Sequence, residues 1–355
     1  MPQSPSKVFL AHAVVGAHST FSVWAFAIVN ELAAAAGRHV QQTDRFDRVD
    51  FNSVLRPVLL SHYPSNQIVD GIQSGDVCAL FISEPPILSF DFLRHSVGVE
   101  SIDALRSLTA SAVANLAIGR SPHSFVIERS SERSIAAVVD LMAAHLELKV
   151  DAETRNAIAE RASNGKGASC ALADLLPIDL LADWTPSGPI DGPPDGRPYA
   201  RILQDILDPL MALARYGSVR PIAWPTEVFT FFDTRSSPPP LNPAIAGPSR
   251  NLFYGPYLHL PPARYRVEVS LVVSEGLSDI PFILEMHAGT WLARARIERT
   301  LPGRFQGYFH LDHFDATATV EIRLRNERNV ERGQLTLVEL LFFPESERTW
   351  EKPAE

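Results

Sequence analysis

The sequence has few cysteines and no dominant positive charge. Its 355 residues include two cysteines, Cys78 and Cys170, too few for a disulfide framework or a four-thiolate zinc site. The net charge of −9 provides no basic field, and such a field is what holds nucleic acid or an anionic membrane surface. We therefore expect no bound metal, no nucleic-acid partner and no need for an oxidising compartment.

Long hydrophobic runs are also missing. The apolar stretch 24–29 is interrupted by Asn30 and Glu31, so it is too short to span a bilayer. No signal-peptide cleavage pattern follows the short run 8–11. We expect a cytoplasmic protein without an integral membrane segment, and the sequence leaves its oligomeric state open.

Proline is abundant but unevenly distributed. Of 28 prolines, 16 lie between Pro186 and Pro262, where they interrupt helices and remove sheet donors. Within this stretch the apolar spacing of Ala200–Tyr216 predicts a helix, which Pro209 should kink or divide. We predict three segments, an α/β domain, a proline-rich connector and a β-sandwich, at 1–183, 184–249 and 250–347.

Before the connector, apolar runs of strand length alternate with helical patterns. This alternation is typical of a mostly parallel sheet with flanking helices. We predict four strands there, at 8–11, 58–60, 77–82 and 124–127. We predict four helices, at 21–36, 102–117, 134–146 and 152–162.

After the connector, apolar residues recur at every second position. Tyr265, Val267, Val269, Leu271 and Val273 share one face of a predicted strand, as a half-buried strand requires. Five further runs follow with turn residues between them, at 282–287, 291–297, 305–311, 319–325 and 335–343. The pattern predicts an antiparallel β-sandwich.

His62 is the candidate for acid–base chemistry in the first half. It follows a buried run directly, at the sheet edge where open α/β folds bind ligands. A histidine in that position can act as a general base near neutral pH. The local sequence alone favours the alternative, a histidine that caps a loop.

Residues Ser61, His62, Tyr63 and Pro64 resemble the Lys-Thr-His-Leu-Pro segment of P-loop sulfotransferases. The order of elements over about residues 8–165 is similar to that family, including the run 125–128, which resembles its Tyr-Glu-Asp strand. The resemblance implies a P-loop-type fold, 3′-phosphoadenosine 5′-phosphosulfate as donor, and His62 as the base that accepts the proton of a carbohydrate hydroxyl.

The same resemblance assigns residues to the donor. They are Gly16, His18, Ser19, Thr20, Ser89 and Lys166. His18 replaces the lysine of the family only when it is protonated, and its alternative is an ordinary residue at a helix start. The alternative for Lys166 is a solvated loop.

Two positions depart from the family. The lysine of its phosphate-binding turn falls on Val14 or Val15, and Glu84 occupies the position of the arginine that binds the 3′-phosphate. A carboxylate facing a phosphate is repelled. No complete Walker A pattern, dinucleotide fingerprint, nucleophile elbow or zinc spacing occurs in the sequence.

Residues 250–267 resemble the entry to β-sandwich modules of bacterial glycan-synthesis enzymes, which are similar to carbohydrate-binding jelly rolls. The resemblance implies a glycan partner, with Tyr254, Tyr257 and Trp291 stacking on sugar rings. For Trp291 and Tyr265, burial in the core is the favoured alternative.

Three functions follow from these observations. The first is sulfotransfer to a bacterial polysaccharide or other glycan. The second is glycan binding or assembly by a chain whose α/β domain has lost its donor site, and the third is a transferase that uses another donor.

Overall fold

The computed structural model describes residues 9–44, 56–175, 199–217, 220–232, 245–277, 280–298 and 302–345. The chain forms two compact units, Met1–Arg197 and Pro198–Glu355.

The first unit is built on a parallel sheet. Its strands are β1 Ala11–Gly16, β2 Val40–Gln42, β3 Val58–Ser61, β4 Val77–Ser83 and β5 Ser124–Glu128. They lie in the order β2-β3-β1-β4-β5, and every pairing is parallel. The helices are α1 Thr20–Ala35, α2 Asn66–Ser74, α3 Pro86–Phe92, α4 Ser101–Gly119, α5 Ile135–His145 and α6 Ala152–Ala162.

Helices cover both faces of this sheet, so its central strands are buried on both sides. Val14 and Leu80 pack into one core cluster with residues of α1 and α5. Val15 and Phe81 face the other way, into a cluster with residues of α2. Burial on both faces explains why these strands read as continuous apolar runs. The predicted α/β class is confirmed, and its P-loop type stays a prediction.

The first strand lies further along the chain than the sequence predicted. We expected a strand at 8–11, whereas β1 begins at Ala11 and ends at Gly16. Leu10 is exposed, whereas Gly16 pairs with Ile82 of β4. The pairing partners, which the local sequence does not contain, decide where the strand ends.

The second unit contains two antiparallel sheets. Its helix is α7 Ala200–Tyr216, which runs continuously through Pro209. Its strands are β6 Ile222–Pro225, β7 Thr230–Phe231, β8 Asn251–His259, β9 Ala263–Val273, β10 Phe282–Ala288, β11 Thr290–Ile297, β12 Gly303–His313, β13 Thr319–Asn326 and β14 Leu335–Pro344. One sheet has the order β11-β10-β13-β8-β7 and the other the order β12-β9-β14-β6.

All six strands predicted from the alternating runs are present. In β9, Tyr265 and Val267 are fully buried while Arg264 and Arg266 are exposed. Tyr265 is a core residue, and its hydroxyl donates to the Pro261 carbonyl at 2.6 Å. The antiparallel class is confirmed, and its jelly-roll type stays a prediction.

The sheets of this unit also use residues from the predicted connector. Strand β6 pairs with β14, and β7 pairs with β8. Both lie within 184–249, which the sequence assigned to the connector. Short strands with prolines are tolerated at sheet edges, and each of these two lies at an edge.

Candidate functional site

Gly16 ends β1 at the carboxyl edge of the parallel sheet. A Cβ atom at this position would lie 2.8 Å from the Ile82 carbonyl oxygen, so only glycine allows β1 and β4 to approach this closely. Three residues later, Ser19 caps α1. Its Oγ accepts from the Ser22 N–H at 3.1 Å, and Ser22 Oγ accepts from the Ser19 N–H at 3.0 Å. The Ser19 hydroxyl is therefore engaged in a capping box.

His62 follows β3 and lies beside this turn. Its Nδ1 is 3.1 Å from the Gly16 carbonyl oxygen. A carbonyl only accepts, so Nδ1 carries the proton and Nε2 is the acceptor nitrogen. The imidazole stacks on His18, with ring centroids 4.4 Å apart, and on Phe26, at 4.7 Å.

The surroundings of His62 make it a weak base. Burial, followed by the proximity of His18, lowers the pKa of His62 to about 4. Burial also lowers the pKa of His18. Both imidazoles are therefore neutral at neutral pH, and His18 does not supply the positive charge of a phosphate-binding lysine.

Glu84 follows β4 at the same edge and is buried. Its Oε1 accepts from Ser89 Oγ at 3.1 Å. Burial raises the pKa of Glu84 to about 7, although hydrogen bonds from Ser19 and Ser89 act in the opposite direction. The carboxyl group thus lies between two hydroxyls that the resemblance assigned to the donor nucleotide.

Arg129, which the sequence analysis missed, is a buried cation at this edge. It follows β5, and its guanidinium donates to the Leu172 carbonyl and lies 5.9 Å from the centroid of the Phe21 ring. Its charge lowers the pKa of Glu84. Its position directly after a strand is the same signal that identified His62.

The structure brings most of the predicted donor residues to one edge of the sheet. The turn after β1 contains Gly16, His18, Ser19 and Thr20. Ser89 lies beside this turn, because its hydroxyl and that of Ser19 both hydrogen-bond to the Glu84 carboxyl group. Lys166 lies on the segment after α6, where its Nζ donates to the Asp174 carbonyl at 3.3 Å. The roles of these residues toward a donor stay predictions.

A second candidate site lies on the five-stranded sheet of the second unit. One face of this sheet packs into the core through residues such as Met286 and Ile322. We call the opposite face the Trp291 face. In the strand register, Trp291 lies opposite His287, His287 opposite Glu321, and Glu321 opposite Pro256. These pairs form a row across four adjacent strands.

Tyr257, next to Pro256 on β8, lies at the end of this row. Its φ is 64°, in the left-handed region, which a non-glycine residue rarely adopts. Its hydroxyl donates to Glu321 Oε1 at 2.7 Å, and Arg323 Nε donates to the same oxygen at 2.7 Å. Burial and the Glu321 carboxylate raise the pKa of Tyr257 to about 12, so the phenol remains a donor.

A second carboxylate, that of Glu285, lies at the centre of the Trp291 face. Glu285 is 5% exposed. Its carboxylate oxygens lie 3.5 Å from Arg325 Nε, 3.8 Å from Arg294 Nε and 3.8 Å from His287 Nε2. The sequence analysis missed these four residues, although each occupies an outward position in the two-residue period of its strand.

Trp291 lies on β11, at the edge of this face. Its side chain is 59% exposed, and its ring centroid lies 4.3 Å from that of His287. Burial in the core, the favoured alternative for Trp291, is therefore wrong. Tyr254 pairs with Arg323 in the register, so the three predicted aromatic residues share one sheet face. Their role in binding sugar stays a prediction.

The described part of the chain contains neither a metal-binding cluster nor a helix that could span a membrane. Within residues 9–345, apart from the undescribed gaps, no group of three or more His, Cys, Asp or Glu side chains is placed to hold a metal ion. Over the same residues, no helix combines the length and the apolar character needed to cross a membrane.

Comparison with known proteins gives no family for the chain. No family profile and no curated protein matches it. A mouse sulfotransferase solved with PAP is 13% identical, over 59% of this chain and 85% of that one, with a TM-score of 0.36. The carbohydrate-binding module TmCBM61, solved with β-1,4-galactotriose, is 13% identical over 28% of this chain and 67% of that one, with a TM-score of 0.23.

A further match is the C-terminal carbohydrate-binding module of a laminarinase from Zobellia galactanivorans. It is 11% identical over 35% of this chain and 99% of that one, with a TM-score of 0.25. The matches thus include a sulfotransferase and carbohydrate-binding modules. At these scores none of them establishes a function, which has to be derived from the side chains.

Proposed function

We propose that this protein binds a glycan on the Trp291 face of its second unit. The observation that supports this function most strongly is the row of Trp291, His287, Glu321 and Tyr257 across four adjacent strands. The row combines an exposed aromatic ring with carboxylates and hydrogen-bond donors. A sugar is complementary to both kinds of group, because its apolar C–H face stacks on an aromatic ring and its hydroxyl groups form hydrogen bonds.

The length of the row suits a short oligosaccharide. Neighbouring strands lie about 4.8 Å apart, so three strand spacings separate Trp291 from Tyr257 by about 14 Å. The aromatic ring would cover the face of one sugar, and the polar groups of the central strands would bind the hydroxyls of the next.

The polar groups of this face are held in place and have capacity for a ligand. The ion pairs of Glu285 and Glu321 restrain the arginine side chains, which reduces the ordering cost of binding. Within the part of the chain that the structure describes, His287 Nε2 and Arg325 Nε are buried and have no hydrogen-bond partner. A sugar hydroxyl both donates and accepts, so it can pair with either nitrogen.

For the first unit, the location of Glu84 favours the binding function over sulfotransfer. Its carboxyl group lies between Ser19 and Ser89, where the donor's phosphates would have to bind. The turn after β1 supplies no lysine or arginine. The anionic nucleotide would therefore meet a carboxyl group, and the phosphate-binding turn itself lacks the cation that normally neutralises a phosphate.

Sulfotransfer to a carbohydrate hydroxyl, from 3′-phosphoadenosine 5′-phosphosulfate as donor, is the second candidate. The hydrogen bond between His62 Nδ1 and Gly16 favours it, because Nε2 becomes the acceptor nitrogen beside the turn. Arg129 is a buried cation at the same edge. In this function Nε2 of His62 would accept the proton of the carbohydrate hydroxyl.

Two titrations test these candidates. Calorimetry with a panel of β-1,3- and β-1,4-linked gluco-, galacto- and xylo-oligosaccharides should detect binding, which Trp291→Ala should weaken. Tyr308→Ala is the matched control, since Tyr308 is also exposed but lies on β12 of the other sheet. A panel without any binder, or equal losses in both variants, would exclude the Trp291 face as the site.

The second titration uses adenosine 3′,5′-bisphosphate with thermal unfolding as the readout. A ligand that binds only the native state raises the unfolding temperature. Glycan binding without a nucleotide shift at millimolar concentration supports the binding function. A nucleotide shift that Glu84→Gln strengthens supports a donor site at the carboxyl edge.

A further inference from the structure

A further polar site lies at the amino-terminal edge of the parallel sheet. His62 lies at the other, carboxyl edge of this sheet. A cavity of about 510 Å³ opens at the amino-terminal edge, and its polar lining consists of Arg38, Arg56, Glu147 and Lys149. The six residues of β1 separate the two edges by about 17 Å. We call this cavity the amino-edge pocket.

Strand and helix ends bring these side chains together. Arg38 lies two residues before β2, and Arg56 lies two residues before β3. Glu147 and Lys149 follow the end of α5. The two arginines come from the starts of paired parallel strands, so the topology of the sheet places them side by side.

Neutral groups hold Arg38 in position. Its Nε donates to the Arg56 carbonyl at 2.6 Å, and its Nη2 donates to His12 Nδ1 at 3.3 Å. A carbonyl oxygen and a neutral imidazole orient a guanidinium without cancelling its charge. The charge of Arg38 is therefore balanced in part only, by the nearby Glu147 carboxylate.

The pocket has an excess of positive charge. Three of its side chains are cationic and one is a carboxylate. Glu147 is the one carboxylate of this lining. Its Oε2 lies 3.2 Å from Arg56 Nη1, and its charge also acts on Arg38, so three cations share one carboxylate. Burial, followed by repulsion from Arg56, lowers the pKa of Arg38. An anion that contacts both guanidinium groups would offset this repulsion.

His12 lies between Arg38 and Glu147, two residues of the pocket lining. Its side chain is completely buried. Its Nδ1 accepts from Arg38, so its proton resides on Nε2. Nε2 has no hydrogen-bond partner among the described residues, and it faces Glu147 Oε2 across 3.9 Å. A buried donor without an acceptor is unfavourable, and the carboxylate that it faces belongs to the pocket lining.

We propose that the amino-edge pocket binds the phosphate or sulfate group of a small molecule between Arg38, Arg56 and Lys149. The excess of two positive charges matches a dianionic tetrahedral oxyanion, and paired guanidinium groups bind such oxyanions in bidentate fashion. The pocket volume lies within the range of small-molecule sites, about 300–1,000 Å³. It is larger than an inorganic anion, so it has room for the rest of a phosphorylated or sulfated molecule.

The test measures binding of inorganic phosphate, inorganic sulfate and pyrophosphate by the full chain. Thermal unfolding and calorimetry are recorded against sodium chloride at matched ionic strength. Phosphate or pyrophosphate should raise the unfolding temperature, and Arg56→Gln should weaken binding about tenfold or more. Arg161→Gln is the matched control, because it removes the same charge from an exposed arginine of the same unit that pairs with Glu31.

Two further variants keep the test decisive if Arg56→Gln unfolds the protein. Lys149 is exposed, so Lys149→Gln should fold normally and weaken binding severalfold. Glu147→Gln removes the competing carboxylate at constant size and should strengthen binding severalfold. No oxyanion stabilisation at matched ionic strength, or equal weakening by Arg161→Gln, would overturn the proposal.

The same variants separate this pocket from the other sites. A shift with adenosine 3′,5′-bisphosphate that disappears in Arg56→Gln reports the amino-edge pocket, whereas one that persists reports the carboxyl edge at Gly16. Oligosaccharide binding on the Trp291 face should be unchanged by Arg56→Gln. Each proposal can therefore fail without the others.

Discussion

Replacing Trp291 by alanine is the sharpest test of the glycan-binding face. Trp291 is 59% exposed, so about 150 Å² of a tryptophan surface of about 250 Å² is available to a ligand. A sugar ring that covers half of this area removes about 70 Å² of apolar surface from water. At about 25 cal/mol/Å² this burial contributes about 1.8 kcal/mol. Trp291→Ala should therefore raise the Kd about 20-fold.

Calorimetry on the tightest oligosaccharide of the panel measures this change. The free energy of unfolding should change by less than about 0.5 kcal/mol, because the side chain is exposed, and urea denaturation checks this. Tyr308→Ala, which removes a 70% exposed ring from the other sheet, should leave the Kd unchanged. A Kd within threefold of the wild type in Trp291→Ala would show that the ring does not contact the sugar.

Three further predictions concern stability and are measured by urea denaturation. Because burial raises the pKa of Glu84 to about 7, above the usual value of about 4.5, ionisation destabilises the fold as pH rises from about 5 to 7. Glu84→Gln should therefore gain up to about 3 kcal/mol over the wild type across this range, and a constant difference would contradict the shift. Gly16→Ala should cost about 1–3 kcal/mol, since its Cβ would lie 2.9 Å from Ile82 Cβ; an unchanged midpoint would refute that contact. Tyr265→Phe should cost about 1–2 kcal/mol by leaving the buried Pro261 carbonyl without its donor, and a neutral effect would refute this hydrogen bond.

Most elements could be predicted from periodicity. The helix predicted at 152–162 has those bounds in the structure, as Ala152–Ala162, because Asp151 caps its first turn and the following residues favour helix. Six strands of the second unit were predicted, and in β9 the reason is the alternation of buried and exposed side chains. Short elements such as β2 and β7 were missed, since two or three residues carry no period.

The first site was predictable in part. His62 follows a predicted strand, and the resemblance placed Gly16 in the turn after the first strand. Parallel strands bring such positions to one edge of the sheet. The burial of Glu84 and its contact with Ser89 depend on α3, which the sequence analysis did not predict. The low pKa of His62 depends on His18 and on burial, and neither can be read from its neighbours in the chain.

The sequence by itself determined the class of each unit, because hydrophobic periods of 3.6 and 2 and the placement of proline are local properties. Only the tertiary structure decided which side chains meet. Trp291, Glu321 and Tyr257 share a face because β10 and β13 lie between β11 and β8, and Arg38 meets Arg56 because β2 pairs with β3. Strand order is set by long-range packing, so contacts across strands do not follow from any one segment of the chain.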